Sequence, residues 1–347
     1  MENVRIAIVG MGFGKWVVDL IASSPDRGLE LAAVCDLDRQ KVQPVAEKYG
    51  VKAYTDLEAL LAEPSIPAIG LITGPAGRAS LIRQIIRAGK HVLTTKPFER
   101  DPVAALDVLR EAQRLGRVVH INSPGPLPSA GDILVQKWRA QHDLGRPIAA
   151  RLDTWVNYAE RADGNWYDDP QLCPVPPIFR LGIYSINELV ALFGEARKVV
   201  VLESRLITGR PTSDNAQLGI LFKNGAIANV FSSFCVTDGD RYRDSMTLNF
   251  ERGTIYRNCG PNRLAGAAEL SLIVRVDNER RLVERVELSV GGSGYQLEHF
   301  CRAVRGEKLE GEISPEQIVM GRNIIDAMAR AAQCGGVADV AGCAAAS

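Results

Sequence analysis

The sequence predicts an α/β chain in two parts, a doubly wound parallel sheet followed by a second α/β part with a largely antiparallel sheet. Three observations predict it. Short apolar runs alternate with amphipathic helical patterns up to residue 122. A proline-rich elbow, Ser123-Pro124-Gly125-Pro126-Leu127-Pro128, then interrupts the pattern. Beyond one helix–strand–helix passage, strand-like runs follow one another, several through short Asn-Gly, Asp-Gly and Arg-Gly connections that suggest hairpins. The expected domains are residues 1–122 and 123–347.

The first part opens on an apolar strand, Val4 to Val9, which breaks into Gly10-Met11-Gly12-Phe13-Gly14-Lys15. A helical pattern follows through Val17, Leu20 and Ile21, and a second apolar run, Leu31 to Cys35, ends on Asp36. Strand, glycine turn, helix and strand ending in an acid is a dinucleotide-binding fingerprint. Gly10 permits the tight turn, and Gly12 lets the backbone approach a pyrophosphate. The N–H groups and positive dipole end of the helix that follows would hold that anion. Asp36 would accept hydrogen bonds from the ribose hydroxyls; it also repels a 2′-phosphate, so NAD is expected over NADP. Arg39, which could bind that phosphate, keeps NADP open. Two details depart from the pattern. Asp36 lies 26 residues beyond Gly10, against roughly 20 in the fingerprint. The third glycine is expected at position 15, where Lys15 stands, with Gly14 one place early.

Helices are expected over Arg39–Tyr49, Asp56–Leu61, Ala79–Ala88 and Val103–Leu115, with strands over Ala68–Thr73, His91–Thr95 and Val118–Asn122. Thr73, Lys96 and Asn122 fall at carboxyl ends of these strands, where an open parallel sheet binds its ligands. In the second part a helix is expected over Gly131–Ala140, a strand over Ile148–Tyr158, a loop rich in Asp, Trp, Tyr and Pro over Ala162–Pro177, and a helix over Ile178–Phe193. Strands follow near Val199–Ile207, Gln217–Phe222, Ala226–Val236, Ser245–Phe250, Leu270–Val276 and Val283–Leu288. Helices Tyr295–Val304 and Pro315–Gln333 close the fold, and the tail after Gly335 is expected to fray.

Bulk properties narrow the class. The chain has 347 residues, 46% hydrophobic and 24% charged, with 41 Lys+Arg balanced by 41 Asp+Glu. That neutrality advertises neither nucleic acid nor an anionic membrane as partner. No apolar run is long enough to span a bilayer, and a strand begins almost at once, so no leader is expected. Seven cysteines without CxxC pairing read as reduced thiols of a cytoplasmic protein, and four scattered histidines give no metal-ligand spacing.

Two further segments carry a resemblance. Ala88-Gly89-Lys90-His91-Val92-Leu93-Thr94-Thr95-Lys96-Pro97 resembles the AGKHVL–EKP signature of the glucose–fructose oxidoreductase / inositol dehydrogenase / MocA family. Pro177 to Asn187 resembles its D-x-G-x-H-x-I-D helix, and the ending from Tyr295 through Arg305-Gly306 fits too. The resemblance covers essentially the whole chain. It implies an N-terminal Rossmann domain and a C-terminal α/β domain with a large open sheet that commonly makes a dimer or tetramer interface. It also implies NAD(P)-linked oxidation or reduction of a sugar, polyol or related hydroxy compound. Against the family pattern, Thr95 replaces a glutamate, Arg180 an aspartate, Tyr184 a histidine, Asn187 a second aspartate and Arg78 a histidine.

Arg180, Tyr184 and Asn187 are spaced to share one helix face, beside an apolar stripe of Phe179, Ile183, Ile186, Val190 and Phe193. Any buried part of the polar face needs partners or a ligand; without one it is a structural hydrogen-bond cluster or a solvated face. With the resemblance, Lys96, Tyr184 and Arg180 are the expected catalytic set, with Tyr184 as general base. Its phenol, ordinarily near pKa 10, would be lowered by the cations Lys96 and Arg180. Two cations suggest a carboxylate on the substrate, hence a sugar acid or lactone. Gly10, Gly12, Phe13, Gly14, Asp36, Arg39, Thr73 and Lys96 are the expected cofactor contacts. Asn122, Asn157, Trp166, Arg180 and Asn187 are the expected substrate contacts, with Trp166 and Tyr167 equally readable as core anchors. The competing reading is a binding protein that senses the nucleotide without turnover.

Overall fold

A computed structural model describes residues 3–24, 27–158, 160–237, 242–259, 267–276, 279–289 and 294–341. The chain forms two compact units, Met1–Leu127 with Gly292–Pro315 and Pro128–Gly291 with Glu316–Ser347.

The first unit is the expected parallel sheet. Its strands are β1 (Val4–Val9), β2 (Leu29–Cys35), β3 (Lys52–Tyr54), β4 (Ala68–Leu71), β5 (His91–Thr94) and β6 (Val119–Ile121), in the order β3-β2-β1-β4-β5-β6. All pairings are parallel, and the order reverses between β1 and β4, the switch point where such sheets bind ligands. The crossovers carry α1 (Gly14–Ala22), α2 (Arg39–Tyr49), α3 (Leu57–Leu61), α4 (Arg78–Arg87) and α5 (Pro102–Arg114). Asp38, Asp56 and Asp101 cap α2, α3 and α5 with side-chain carboxylates, as residues of that type do at helix starts. The short strand β3 was not signalled by the sequence.

The second unit begins with α6 (Ala130–Gln141), started by a Ser129–Asp132 capping box, and β7 (Pro147–Trp155). A five-residue π-helical turn, Ile178–Gly182, runs into α7 (Ile183–Phe193). Next come β8 (Ala196–Ser204), β9 (Asn215–Phe222), β10 (Ile227–Ser233), β11 (Arg243–Phe250), β12 (Gly253–Arg257), β13 (Ala267–Val276) and β14 (Glu279–Ser289). The chain ends with α8 (Leu297–Val304), α9 (Pro315–Cys334) and β15 (Val337–Asp339). The nine-stranded sheet has the order β14-β13-β12-β11-β7-β10-β9-β8-β15, and only β7 with β10 pairs in parallel among the described strands. One sheet face is apolar: Leu152, Val230, Leu218 and Leu248 bury against Phe179, Ile183, Ile186, Val190 and Phe193 of the helical segment and Ile324, Ile325 and Met328 of α9. The expected apolar stripe is therefore the buried one.

Packing moves the expected unit boundary. The segment 292–315 belongs to the first unit, because Tyr295, Leu297, Phe300 and Cys301 bury in one core with Ile6, Ile8, Val17 and Val34. Nor is the tail after Gly335 all frayed: Val337–Asp339 adds an antiparallel strand to β8. Among the described residues no helix is long and apolar enough to cross a membrane.

Candidate active site

In the N-terminal unit the glycine turn divides its labour. Gly10 sits at φ +94°, and a Cβ there would lie 2.7 Å from the Ile72 carbonyl oxygen, so the backbone itself demands glycine. A Cβ on Gly14 would touch Ile8 at 3.3 Å and Met11 at 3.5 Å, so Gly14 supplies the close helix–strand packing expected of a glycine at position 15. Gly12 is different: a Cβ there would meet no protein atom within 4 Å. Nothing in the protein's own packing requires that glycine, whereas a pyrophosphate approaching the backbone would. Helix α1 matches this reading. Its N-cap is Phe13, without a side-chain cap and with no acid in the first turn. Its N–H groups and dipole are thus left for an anion, which the Asp-capped helices do not offer. Phe13 is exposed and stacks on Trp16 at 5.3 Å.

Asp36 directly follows β2, fixed by the Met11 N–H at 2.6 Å to Oδ2 and the Asp38 N–H at 3.0 Å to Oδ1. The acid is thereby tied to the glycine turn. Arg39 stands exposed at the first position of α2. These residues fit an adenosine ribose and a pyrophosphate.

The other side of the switch point is organised by Arg78, only 1% exposed. Its guanidinium donates to the carbonyls of Thr95 at 2.5 Å, Pro97 at 2.9 Å and Thr73, and to Thr94 Oγ1 at 3.4 Å. It ties the ends of β4 and β5 together around the cis Lys96–Pro97 peptide. Burial pulls its pKa down to about 10, with Glu99 and Tyr295 working the other way. Glu99, also buried, accepts the Ala79, Arg100 and Asp101 N–H groups at 2.7, 2.5 and 3.2 Å. Lys96 is half-buried, and its backbone N–H donates to Asn122 Oδ1 at 2.7 Å. Asn122, expected to contact substrate, thus spends its oxygen on holding Lys96. Thr73 lies at the end of β4, half-buried.

In the C-terminal unit the expected polar stripe is split. The π turn inserts one extra residue per turn before α7, rotating position 180 relative to positions 184 and 187. Arg180 and Asn187 are buried and Tyr184 is 41% exposed. The Arg180 guanidinium donates both Nη atoms to Glu160, at 2.7 and 2.6 Å. It lies 3.8, 4.9 and 5.1 Å from the ring centroids of Tyr167, Phe234 and Tyr158. Burial alone would lower the Arg180 pKa; the Glu160 hydrogen bonds, together with the charges of Tyr167, Glu160 and Cys173, outweigh it and raise the value. Arg210 is buried beside the same carboxylate at 3.6 Å and pairs with Asp168 at 2.5 Å and Asp163 at 3.3 Å. Although burial opposes it, the Arg210 hydrogen bond and two backbone N–H groups hold the Asp168 carboxyl below its ordinary range.

Three of the expected site residues find partners within the protein. Arg180 does not present an open fork to a substrate carboxylate, because the Glu160 carboxylate holds it. Asn187 packs against α9, its Oδ1 2.1 Å from where a Cβ on Gly321 would be, so only glycine there admits it. Trp166 packs at a tilt on Tyr167 at 4.2 Å and meets Phe179 edge-on, partly buried against the core. Asn157 is exposed and donates to Thr237 Oγ1 at 2.7 Å. Glu160, Arg210 and Glu99 were not singled out from the sequence; the requirement that a buried arginine find a partner was the one signal pointing to Glu160.

An uncapped glycine-turn helix, an acid pinned at the next strand end and a parallel switch point together define a dinucleotide-binding oxidoreductase fold. Residues 4–123 match the oxidoreductase family with an NAD-binding Rossmann fold, and residues 133–256 match the GFO/IDH/MocA C-terminal domain; the chain belongs to this family. It is 34% identical over 227 residues to an uncharacterized oxidoreductase of Synechocystis, covering 62% of this chain and 58% of that one. It is 23% identical over 227 residues to the 1,5-anhydro-D-fructose reductase of Ensifer adhaerens, covering 63% and 66%. The chain spans about three fifths of the length of the curated relatives it matches. Levoglucosan dehydrogenase in complex with NADH shares the fold, with a TM-score of 0.76 at 16% identity over 98% of this chain and 100% of that one.

Proposed function

We propose that this chain is an NAD-dependent dehydrogenase or reductase acting on a hydroxyl- or carbonyl-bearing carbon of a sugar, polyol or sugar acid. The observation that carries the reading is the open glycine turn at Gly12 tied through Met11 to Asp36. Gly10, Gly12, Phe13, Gly14, Asp36 and Thr73 would hold the cofactor, with Arg39 at the ribose end. The carboxylate of Asp36 favours NAD over NADP. Bound nicotinamide supplies the hydride acceptor or donor. Tyr184, an exposed phenol on a helix start, takes or gives the hydroxyl proton. Lys96, at the carboxyl end of β5, is the catalytic lysine of the N-terminal unit in this reading. The names of two similar proteins, which act on anhydro sugars, support a sugar substrate.

The test is turnover, read at the reduced nicotinamide absorbance, over a panel of sugars, polyols and sugar acids with NAD⁺ or NADP⁺. Activity lost in Lys96→Ala and Tyr184→Phe supports both roles. Tight NAD binding without turnover of any panel member would move the reading to a nucleotide sensor. A homodimer or homotetramer, in the cytoplasm, is part of the same proposal. The sheet face opposite the core carries Val200, Leu202 and Ile227, all exposed, and a Leu202→Arg variant of lower mass in light scattering would support assembly through it.

A further inference from the structure

We infer that Glu160, rather than Arg180, is the charged group this unit presents to a substrate, and that it sorts neutral polyhydroxy compounds from their acids. The inference rests on the dehydrogenase reading and names a specificity residue for it.

The two members of the pair are unequal. The Arg180 side chain is 10% exposed, its fork committed to Glu160 and aromatic rings close around it. The Glu160 side chain is 27% exposed. A carboxylate has about four lone-pair positions, and the two Arg180 contacts leave others for a donor. The planar fork of Arg180 fixes the orientation of the carboxylate, which makes Arg180 a positioning residue. Arg210, the second cation beside Glu160, is itself held by Asp168 and Asp163. The network therefore sets two guanidiniums against three carboxylates and carries a net negative charge. An incoming carboxylate would meet Glu160 and no uncommitted fork in this network, whereas a sugar hydroxyl can donate to it. A phenol lies close by: the Tyr158 ring packs on Arg180.

The experiment uses matched pairs, an aldose or polyol and its aldonic or uronic acid, titrated by calorimetry into the NAD-saturated protein, followed by turnover of each. Wild type is expected to favour the neutral member by about tenfold or more, the scale of one hydrogen bond to a charged group. Glu160→Gln should remove most of that ratio through KM rather than kcat, and Glu160→Asp, which keeps the charge, should restore part of it. Thermal unfolding of each variant shows that it is folded. Wild type that favours the acid, or binds no neutral member, overturns the proposal, as does an unchanged ratio in folded Glu160→Gln. Selective binding that depends on Glu160 without turnover would support the Glu160 role while removing the dehydrogenase reading; turnover of both members indifferent to Glu160 would do the reverse.

Discussion

Two buried arginines stand where the family pattern has other residues, and the protein treats them in opposite ways. Arg78 in the N-terminal unit is held at its Nη atoms by carbonyl oxygens and a hydroxyl, with its buried Nε unpaired, and its pKa falls. Arg180 in the C-terminal unit is satisfied by a carboxylate, and its pKa rises. Neutral dipoles can solvate a guanidinium in part but do not return the full desolvation cost; an anion within a bidentate pair can. The lesson extends to the units. The described N-terminal strand ends hold cationic and basic groups with backbone acceptors, whereas the loops around Arg180 hold them with acids.

Acid should separate the two most strongly. Burial lowers His91 and His120 to about pKa 4. Their native state binds fewer protons than an unfolded chain with histidines near 6.5, so stability is full above pH 6.5 and is lost as pH falls toward 4. The loss approaches about 3 kcal/mol per histidine. Asp168 is held low, so its contribution is present above the ordinary aspartate range and fades only as pH falls below it. Hydrogen exchange against pH should show the first unit softening between pH 6.5 and 4 before the second; simultaneous loss would break the contrast. Next in size, Glu160→Ala should cost about 2–3 kcal/mol in urea unfolding, less than the ~3–5 of a fully buried pair because Glu160 meets water. An Arg180→Met/Glu160→Leu double variant should recover most of it. Arg78→Met, which leaves carbonyls unpaired rather than a bare charge, should cost about 1–2 kcal/mol. The smallest stability effect is expected at Gly12→Ala, within about 0.5 kcal/mol of wild type, yet NAD affinity should fall at least about tenfold as the added methyl meets the pyrophosphate.

Much of the first unit was legible because its signals are local: apolar runs, the tight turn at Gly10 and strand-end positions for Thr73, Lys96 and Asn122. The apolar stripe of α7 was legible by period alone. Other features depend on contacts that spacing does not encode. The π turn shifts Arg180 out of the stripe shared with Tyr184, and no local pattern announces it. Glu160 lies 20 residues from Arg180, in a loop whose composition suggests a site without assigning partners. Asn187 looked polar enough to face a substrate, but Gly321 in a distant helix opens a place for it. Likewise the helical pattern at Leu297–Val304 shows that an apolar face must be buried, not in which core.

That helix has a consequence for how the protein is made. Phe300 and Leu297 complete the core begun by Ile6 and Ile8, so the N-terminal unit stays unfinished until residues as far as Phe300 have left the ribosome. A fragment ending at the Pro-rich elbow would keep every strand of the parallel sheet yet expose the apolar surface that α8 covers. The nascent sheet must wait through synthesis of residues 128–291 of the second unit, and chaperone capture during that interval is the expected cost of a discontinuous fold.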